Sequence, residues 1–270
     1  MADKTTVHVL DCGAMSCDLT WLLLKPGRSI RPRQDRDKPV EWYPCTTHCV
    51  LVDTPDGMLL WDTSCPRDWE TRWEPTGLQD FFPYDQVTEQ QYLDQQLSRL
   101  GVGLDQIDYV VLSHLHFDHA GNVRMFEGTN AKLVCNDKEL EFASSYPGAF
   151  NGAHLKADYE GLPFETVSGD AEFLPGVTFL HAPGHTVGTM SMQVDLADSG
   201  TMIFTSDAIY MGDSYGPPAT PAAIVNDLTA WYSSVEKIRG IAERTDATVV
   251  FGHDAAQLRS MRRAPEGSYT

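Results

Sequence analysis

The sequence lacks any long apolar run. No stretch of about 18 consecutive apolar residues occurs in it, which argues against a transmembrane helix. The first residues, MADKTTVHVLDCG, also lack the apolar core of a secretory signal peptide. We therefore expect a cytoplasmic protein that has no membrane partner.

Basic residues are scarce: the chain has 20 Lys and Arg against 38 Asp and Glu, and its formal net charge is −18. Binding to a nucleic acid needs a basic face, because contacts to phosphates supply most of the affinity. The composition therefore argues against a nucleic-acid partner, including the substrate of a nuclease. The partner that we expect instead is a small-molecule substrate.

The chain has six cysteines but no CxxC pair. Cys45 and Cys49 have a spacing that zinc sites can use, yet no second pair follows, so a structural zinc site is not expected there. Without an export signal, the thiols are expected to be mostly reduced and buried. A G-x-S-x-G motif is missing as well, which disfavours a serine hydrolase.

Strand-like segments dominate the chain, with helical segments in both halves. Apolar runs around a Pro-Asp-Gly turn predict two strands within 48–64, and apolar spacing predicts helices over 89–102 and 227–245. Further strands are predicted over 107–114, 131–136, 176–184, 189–196, 200–207 and 247–254. This pattern indicates an α/β protein with sheets packed face to face and helices outside. No linker divides the chain, so we predict a single domain over residues 1–270.

The stretch VVLSHLHFDHAGN carries three histidines and an aspartate directly after an apolar strand. Three of the nine histidines lie within one six-residue window, and more His and Asp follow predicted strands in FLHAPGHTVG, MIFTSDAIY and VVFGHD. A lone histidine is usually a satisfied core or surface residue, but strand ends face a common sheet edge, so these side chains can converge. We predict that they form a metal site. Its candidate ligands are His114, His116, Asp118, His119, His185, Asp207 and His253.

The donor set indicates which metals are suitable. Neutral imidazole suits Zn, Fe, Co or Ni, and carboxylates add hard oxygen ligands. Five histidines and two aspartates are too many for one ion. They fit two ions about 3.5–4 Å apart with one bridging carboxylate. We therefore expect two divalent ions, with Zn²⁺ as the first choice and Fe, Co or Mn as alternatives.

The motif HLHFDH resembles the HxHxDH signature of the metallo-β-lactamase superfamily, and PGHTVG, SDA and GHD follow in the order which that superfamily uses. From VDTPDGMLLWDTS to the closing GHD, the chain is most similar to the N-acyl-homoserine lactone lactonases. The resemblance implies a four-layer αββα sandwich of two mixed sheets with helices outside. It also implies a metal-dependent hydrolase that acts in quorum quenching, as a homodimer or other oligomer.

The resemblance divides the seven ligands between two ions, and Asp207 would bridge them. One ion would be held by His114, His116 and His185, and the other by Asp118, His119 and His253.

The resemblance suggests roles for two further positions and shows two positions that depart from the family. Asp62 matches an aspartate that orients a ligand histidine, with a turn-capping role as the alternative. Tyr210 matches a tyrosine that polarises the lactone carbonyl, although it could be a packing residue. Two positions depart from the family: Ser64 stands where relatives usually have glycine, and Thr189 where a second histidine is common. Neither is a ligand position, so they put substrate choice rather than the metal site in question.

The mechanism implied is attack on an ester carbonyl by a hydroxide held between the two metal ions. Tyr210 and one ion would stabilise the oxyanion, and Asp118 would relay the proton to the leaving alkoxide. The same site could instead cleave another activated substrate, such as an aryl ether of the nitroanisole type, an ester or a thioester. Less expected readings are an iron-dependent redox enzyme of the same fold, and a metal-binding scaffold or inactive subunit without activity.

Two long segments leave alternatives open. Residues 26–45 form a polar stretch that suits a lid or a contact arm, or a merely mobile loop. Residues 66–86 are rich in aromatic side chains, which could line an apolar pocket, pack internally or form a subunit interface. These aromatic residues are Trp69, Trp73, Phe81, Phe82 and Tyr84.

Overall fold

The computed structural model describes residues 4–145 and 153–270, and within them the chain forms two sheets that pack face to face. The first sheet has six strands in sequential order: β1 (Thr6–Asp18), β2 (Trp42–Thr54), β3 (Gly57–Trp61), β4 (Tyr109–Val111), β5 (Lys132–Asn136) and β6 (Phe164–Val167). The second has five, in the spatial order β11 (Thr248–Val250), β10 (Gly200–Phe204), β9 (Met190–Leu196), β8 (Val177–His181) and β7 (Ala171–Leu174).

Both sheets are mixed. In the first, β1, β2 and β3 are antiparallel neighbours, whereas β3 to β6 run parallel to one another. In the second, β7 to β10 alternate in direction and β11 runs parallel to β10. The carboxyl ends of β8, β10 and β11 therefore point to one edge, which is the edge that carries the candidate site.

Alternation along the strands builds the layers. On β2, Val50 and Val52 face the second sheet, where they join Phe179 and Met192 in an inter-sheet core. The intervening Leu51 faces the outer helices instead. Because both faces of the sheet are covered, apolar residues occupy both sets of positions, as expected for a buried sheet.

Helices cover the outer faces of both sheets. They are α1 (Trp69–Trp73), α2 (Leu78–Phe81), α3 (Leu93–Arg99), α4 (Asp137–Ser145), α5 (Lys156–Tyr159), α6 (Gly212–Tyr215), α7 (Leu228–Thr245) and α8 (Ala255–Ser260). On α7, Trp231, Val235, Ile238 and Ala242 follow helical spacing and pack on the second sheet. The predicted four-layer αββα sandwich is confirmed.

Most predicted elements are present, but with shorter bounds. The hairpin within 48–64 is β2 and β3, and the helix predicted over 227–245 is α7. The helix predicted over 89–102 is instead a 3₁₀ turn, Glu89–Gln91, followed by α3. Strand β4 ends at Val111, since the chain then turns into the histidine-rich loop. Strands β1, β6 and β7 were not predicted at all, although β1 is 13 residues long.

Segments 26–45 and 66–86, for which the sequence leaves alternatives open, contain some regular secondary structure. The end of segment 26–45 belongs to β2, and the rest is irregular apart from a 3₁₀ turn, Arg33–Asp35. Segment 66–86 contains α1, a 3₁₀ turn (Glu74–Thr76) and α2. All six cysteines are buried and unpaired. Among the described helices, none has the length and apolar character that crossing a membrane requires.

Trp231 is expected to be a main contributor to the stability of the α7 layer. It is fully buried, and its indole N–H donates to the Ala208 carbonyl at 2.9 Å. Trp231→Ala should lower the free energy of unfolding by about 3–5 kcal/mol. The neighbouring Tyr232 is 41% exposed and packs edge-on against Trp231 with ring centroids 5.0 Å apart, so Tyr232→Ala should lower it by only about 1 kcal/mol. Denaturant unfolding of both variants checks this, and equal losses would contradict it.

Candidate metal centre

The seven predicted ligands are all buried, and each follows a strand of the sandwich. The histidine-rich loop begins three residues after β4, His185 follows β8, Asp207 lies in a 3₁₀ turn (Ser206–Ala208) after β10, and His253 follows β11. The structure brings all seven together at one edge of the sandwich. We name His114, His116 and His185 the first ligand group, and Asp118, His119 and His253 the second ligand group, with Asp207 between them.

In the first ligand group, three ring nitrogens converge. His185 Nε2 lies 3.1 Å from His114 Nε2 and 2.9 Å from His116 Nδ1. Asp207 Oδ2 approaches from the other side, 3.3 Å from His185 Nε2 and 3.7 Å from His114 Nε2. Three nitrogens and one oxygen therefore face a common point.

The second ligand group faces the other oxygen of the same carboxylate. Asp207 Oδ1 lies 3.1 Å from His119 Nε2 and 2.9 Å from His253 Nε2. Asp118 Oδ2 completes this side, 3.5 Å from His119 Nε2 and 3.7 Å from His253 Nε2. Asp207 thus presents one oxygen to each group, which is the arrangement of a bridging carboxylate.

Asp62 orients His119 of the second ligand group through the ring nitrogen that does not face Asp207. Its backbone has a positive φ of 61°, directly after β3, and its side chain is buried. Asp62 Oδ1 accepts the Ser113 N–H at 2.7 Å, and Oδ2 lies 2.9 Å from His119 Nδ1. When a metal ion displaces one proton from the ring, this contact would keep the remaining proton of His119 on Nδ1 and direct the lone pair of Nε2 into the site. The contact expected from the resemblance is therefore present.

Backbone carbonyls fix two more rings in the same way. His253 Nδ1 lies 2.8 Å from the Thr46 carbonyl, and His185 Nδ1 lies 2.9 Å from the Ile224 carbonyl. In the neutral form that a metal ion requires, each ring would direct the lone pair of Nε2 to the side of Asp207. Such outer hydrogen bonds are the usual way in which a protein sets the tautomer of a metal-binding histidine.

The donors fit divalent ions. His119 Nε2 and Asp207 Oδ1 are buried and have no hydrogen-bond partner. Ligand nitrogens on a tetrahedral Zn²⁺ lie roughly 3.3 Å apart, given Zn–N bonds of about 2.0–2.1 Å. The nitrogens of the first ligand group are already within a few tenths of an ångström of that spacing. Lone pairs that face one another this closely are stabilised by a shared cation, so the residues present suit a metal.

Burial and nearby charges set the protonation of the site. Burial and the neighbouring imidazoles lower the pKa of His114 and His116, which keeps these rings neutral and able to bind metal. Burial alone would lower the pKa of His119, but Asp118 and Asp207 raise it well above its usual value. Burial would raise the pKa of Asp207, yet His253 and His119 hold it well below the usual range. The carboxylate between the groups is therefore anionic.

Tyr210 lies beside the first ligand group. Its hydroxyl is 2.7 Å from His185 Nδ1 and 3.4 Å from the Ile224 carbonyl, and its ring stacks on His253 with centroids 5.4 Å apart. The side chain is almost fully buried but forms part of the wall of the pocket above the site.

That pocket has a volume of about 410 Å³ and mostly apolar walls. Its floor includes His116, Asp118, His185, Asp207 and His253, so it opens directly onto both ligand groups. Its walls include Met15, Trp21, Leu22, Leu78, Phe81 and Phe82. A substrate with a polar reacting group and an apolar extension would match this division.

The aromatic residues of segment 66–86 have different positions. Phe81 and Phe82 line the pocket. Trp73 lies beneath it, edge-on to Phe117 at 4.8 Å, and Trp69 packs against Trp73. Tyr84 is remote from the pocket wall and donates its hydroxyl to the Cys12 carbonyl. Pocket lining and internal packing are therefore both present in this segment.

The two departures from the family lie behind the pocket rather than in its wall. Ser64 has a positive φ of 58° and donates its hydroxyl to Thr47 Oγ1 at 3.1 Å. Thr189 accepts the Thr186 N–H at 3.0 Å. Thr189 supports the loop that carries His185, whereas Ser64 joins the segment after β3 to β2, so the effect of both on a substrate would be indirect.

Two buried residues close to the site were missed by the sequence analysis, namely Glu139 and His154. Their side chains contact each other, with His154 Nε2 3.0 Å from Glu139 Oε1. The ring of His154 lies edge-on to His116, with centroids 4.4 Å apart. Glu139 lies in a stretch of charged residues, NDKELEF, that resembles an exposed helix, and His154 is an isolated histidine. Neither position carries a sequence signal that would have identified it.

Comparison with known proteins agrees with this geometry. Residues 42–253 match the family described as the metallo-beta-lactamase superfamily. The N-acyl homoserine lactonase AiiB of Agrobacterium fabrum (strain C58 / ATCC 33970) is 32% identical over 282 residues, covering 97% of this chain and 98% of that protein. The N-acyl homoserine lactonase AiiA of Bacillus thuringiensis subsp. kurstaki is 30% identical over 223 residues, covering 81% of this chain and 85% of that protein.

A solved structure is similar to this chain over its whole length. It is that of an N-acyl homoserine lactone hydrolase with the product N-hexanoyl-L-homoserine bound at the catalytic metal center. It aligns with a TM-score of 0.79 and 26% identity, and covers 100% of both chains. Fold, motif order and similarity along the chain agree, and this chain belongs to the metallo-beta-lactamase superfamily.

Proposed function

We propose that the protein is a dinuclear metallohydrolase that opens the ring of N-acyl homoserine lactones or of a closely related lactone. The observation that carries the proposal is Asp207, whose two oxygens face two separate groups of nitrogen and oxygen donors. The lactonase names of the relatives and the acyl-homoserine product in the similar structure support the substrate.

In this proposal the first ligand group would hold one divalent ion, the second ligand group would hold the other, and Asp207 would be a ligand shared by both. Zn²⁺ is the first choice because the donors are only imidazole and carboxylate, but Fe, Co or Mn accept the same set. Two such ions, when bound, would supply a water acidified towards a pKa of about 7 and would polarise the substrate carbonyl.

The chain's own residues perform the remaining steps. The Tyr210 hydroxyl, at the pocket wall, donates a hydrogen bond to the lactone carbonyl oxygen as negative charge develops on it. Asp118 lies at the pocket floor, where a carboxylate oxygen can take a proton from the attacking water and pass it to the leaving alkoxide. The alkoxide remains tethered through the ring, so the product is one open hydroxy acid.

The pocket walls hold the rest of the substrate. Phe81, Phe82 and Trp21 would pack against an acyl chain and exclude water from the reacting carbonyl. The same aromatic walls also suit a flat aryl substrate, such as an activated aryl ether, which is the second candidate.

We further propose a homodimer that works in the cytoplasm. Trp42 and Phe81 are each 54% exposed and line one apolar groove together with Val40. These residues come from segments 26–45 and 66–86, which the resemblance suggested as subunit contacts. Light scattering coupled to gel filtration measures the oligomeric state directly.

The proposed activity is tested with purified protein of measured metal content. The panel contains homoserine lactones of short and long acyl chain, a simple γ-lactone, a thioester, a β-lactam and an activated aryl ether, with acid release in weak buffer as the readout. We expect fast opening of the acyl homoserine lactones with two equivalents of metal bound. No reaction with any lactone while both metals are present would reject the substrate and keep the metal centre.

Asp207→Ala should remove the bridge between the two ligand groups. We expect the bound metal to fall below two equivalents and turnover to drop by at least about 100-fold. Elemental analysis after gel filtration, together with the lactone assay, provides the measurement. Asp195→Ala, which removes an exposed carboxylate on β9, is the control and should leave both unchanged. Two bound metals and full turnover in Asp207→Ala would refute the bridging role.

Tyr210→Phe should separate chemistry from metal binding. The variant loses only the hydroxyl, so we expect two bound metals and a kcat lowered by roughly 100-fold, the usual effect of removing one oxyanion donor. Tyr215→Phe, on α6, serves as the control. An unchanged kcat in Tyr210→Phe would show that the tyrosine is a packing residue.

A further inference from the structure

Glu139 is a buried carboxylate whose hydrogen-bonding capacity is fully used. It lies in the first turn of α4 and has no exposed surface. Oε1 accepts the Leu115 N–H at 3.0 Å and lies 3.0 Å from His154 Nε2. Oε2 accepts the Thr186 hydroxyl at 2.6 Å and the Gly188 N–H at 3.3 Å. Burying a carboxylate is unfavourable unless donors of this kind compensate.

Apart from His154, these partners belong to the two loops that carry the first ligand group. Leu115 lies between His114 and His116, and Thr186 directly follows His185. One oxygen of Glu139 is bound to the loop after β4, and the other oxygen is bound to the loop after β8. A single carboxylate therefore connects the two loops.

The loop after β8 approaches α4 very closely. A Cβ added at Gly188 would lie 2.4 Å from both the backbone N and the Cβ of Glu139, so only glycine fits there. Thr189, which replaces the histidine common in relatives, contributes to the same connection. Its hydroxyl is 2.7 Å from the Thr186 hydroxyl, which donates to Glu139.

His154 adds a direct contact with a candidate ligand. Its Nε2 meets Glu139 Oε1, while its ring packs edge-on against the ring of His116. The ring of His116 is thereby supported on the side of His154, and its Nδ1 faces His185 Nε2.

The two ligand groups have different main anchors. Asp62 contacts His119 of the second ligand group directly and also accepts from Ser113, which precedes His114, whereas Glu139 with His154 contacts the two loops that carry the first ligand group. A purely structural carboxylate would support the fold in general, but this one contacts residues directly beside the three ligands that the proposal gives to one ion.

We propose that Glu139, supported by His154, is a positioning residue for the metal ion of the first ligand group. It holds the two loops at the separation that the three imidazole nitrogens require. This inference rests on the proposed metal centre but not on the lactone substrate.

The test is a Co²⁺ titration of the metal-free protein, followed by calorimetry and by the visible absorption of bound Co²⁺. Glu139→Gln keeps the size of the side chain, but its NH₂ would face the N–H of either Leu115 or Gly188, so one loop contact is lost. We expect the wild type to bind two equivalents. In the variant, one equivalent should bind as before and the other about 10–100-fold more weakly, with an altered absorption band.

Two further variants sharpen the result. Asp62→Asn should weaken chiefly the equivalent that Glu139→Gln leaves unchanged, and by a smaller factor the other one, because Asp62 also accepts from Ser113 beside His114. Thr186→Val removes a single donor to Glu139 and should weaken the same equivalent as Glu139→Gln, by a smaller factor. If Glu139→Gln does not fold, Thr186→Val alone decides between the outcomes.

Glu141→Gln is the matched control, because Glu141 lies on the same helix as Glu139 but its side chain is exposed. It should leave both equivalents unchanged. Unchanged binding in Glu139→Gln and Thr186→Val would overturn the inference. It would also be overturned if Glu139→Gln weakened both equivalents equally and lowered the thermal midpoint of the metal-free protein.

The inference and the proposed function can fail separately. A wild type that binds two equivalents and opens no lactone, with one site weakened in Glu139→Gln, keeps the inference and rejects the substrate. Lactone opening by the wild type, with unchanged metal binding in the variants, keeps the proposed function and rejects the inference. A wild type that binds no Co²⁺ would overturn both.

Discussion

The structure depends on one electrostatic constraint: buried nitrogen and oxygen donors face one another at the edge of the sandwich, with Asp207 at their centre. Such a cluster repels itself and loses its hydration unless positive charge is shared among its members. The two packed sheets bring these donors close together. Strand ends from both sheets meet at one edge, so donors that are distant in sequence arrive from rigid supports.

The surrounding hydrogen bonds orient the imidazole rings of the candidate ligands. Each imidazole must direct a lone pair inwards, and the contacts of His119, His185 and His253 with acceptors behind them achieve this. Some of these supports need unusual backbone. Asp62 and Ser206 both have positive φ values, 61° and 47°, and each is next to or in contact with the ligand network. Backbone of this kind persists only where the surrounding contacts determine it, and it is concentrated at the candidate site.

The parts of this arrangement that sequence could predict are those with a local pattern. The dense histidine window and the aspartate of SDA follow apolar strands, so both their chemistry and their place at a sheet edge can be read directly. Strand β1 was missed because its polar and small residues, such as those in LDCGAMSCD, obscure the alternation while tertiary packing buries them. Glu139 was missed because its meaning lies in contacts with residues far away along the chain, and a glutamate in a charged helix has no local signature.

Exclusion of water by the pocket walls affects both substrate binding and catalysis. Apolar walls that accept an acyl chain also exclude water from the floor, and a lower local dielectric strengthens every charge interaction there. In the proposed mechanism, a hydrogen bond from Tyr210 to a developing oxyanion would therefore gain strength from Phe82 and Trp21, which touch no reacting atom. It follows that substrate binding in the pocket and transition-state stabilisation at its floor are coupled. Changes to the walls should then alter turnover as well as affinity, because the same side chains control access of water to both.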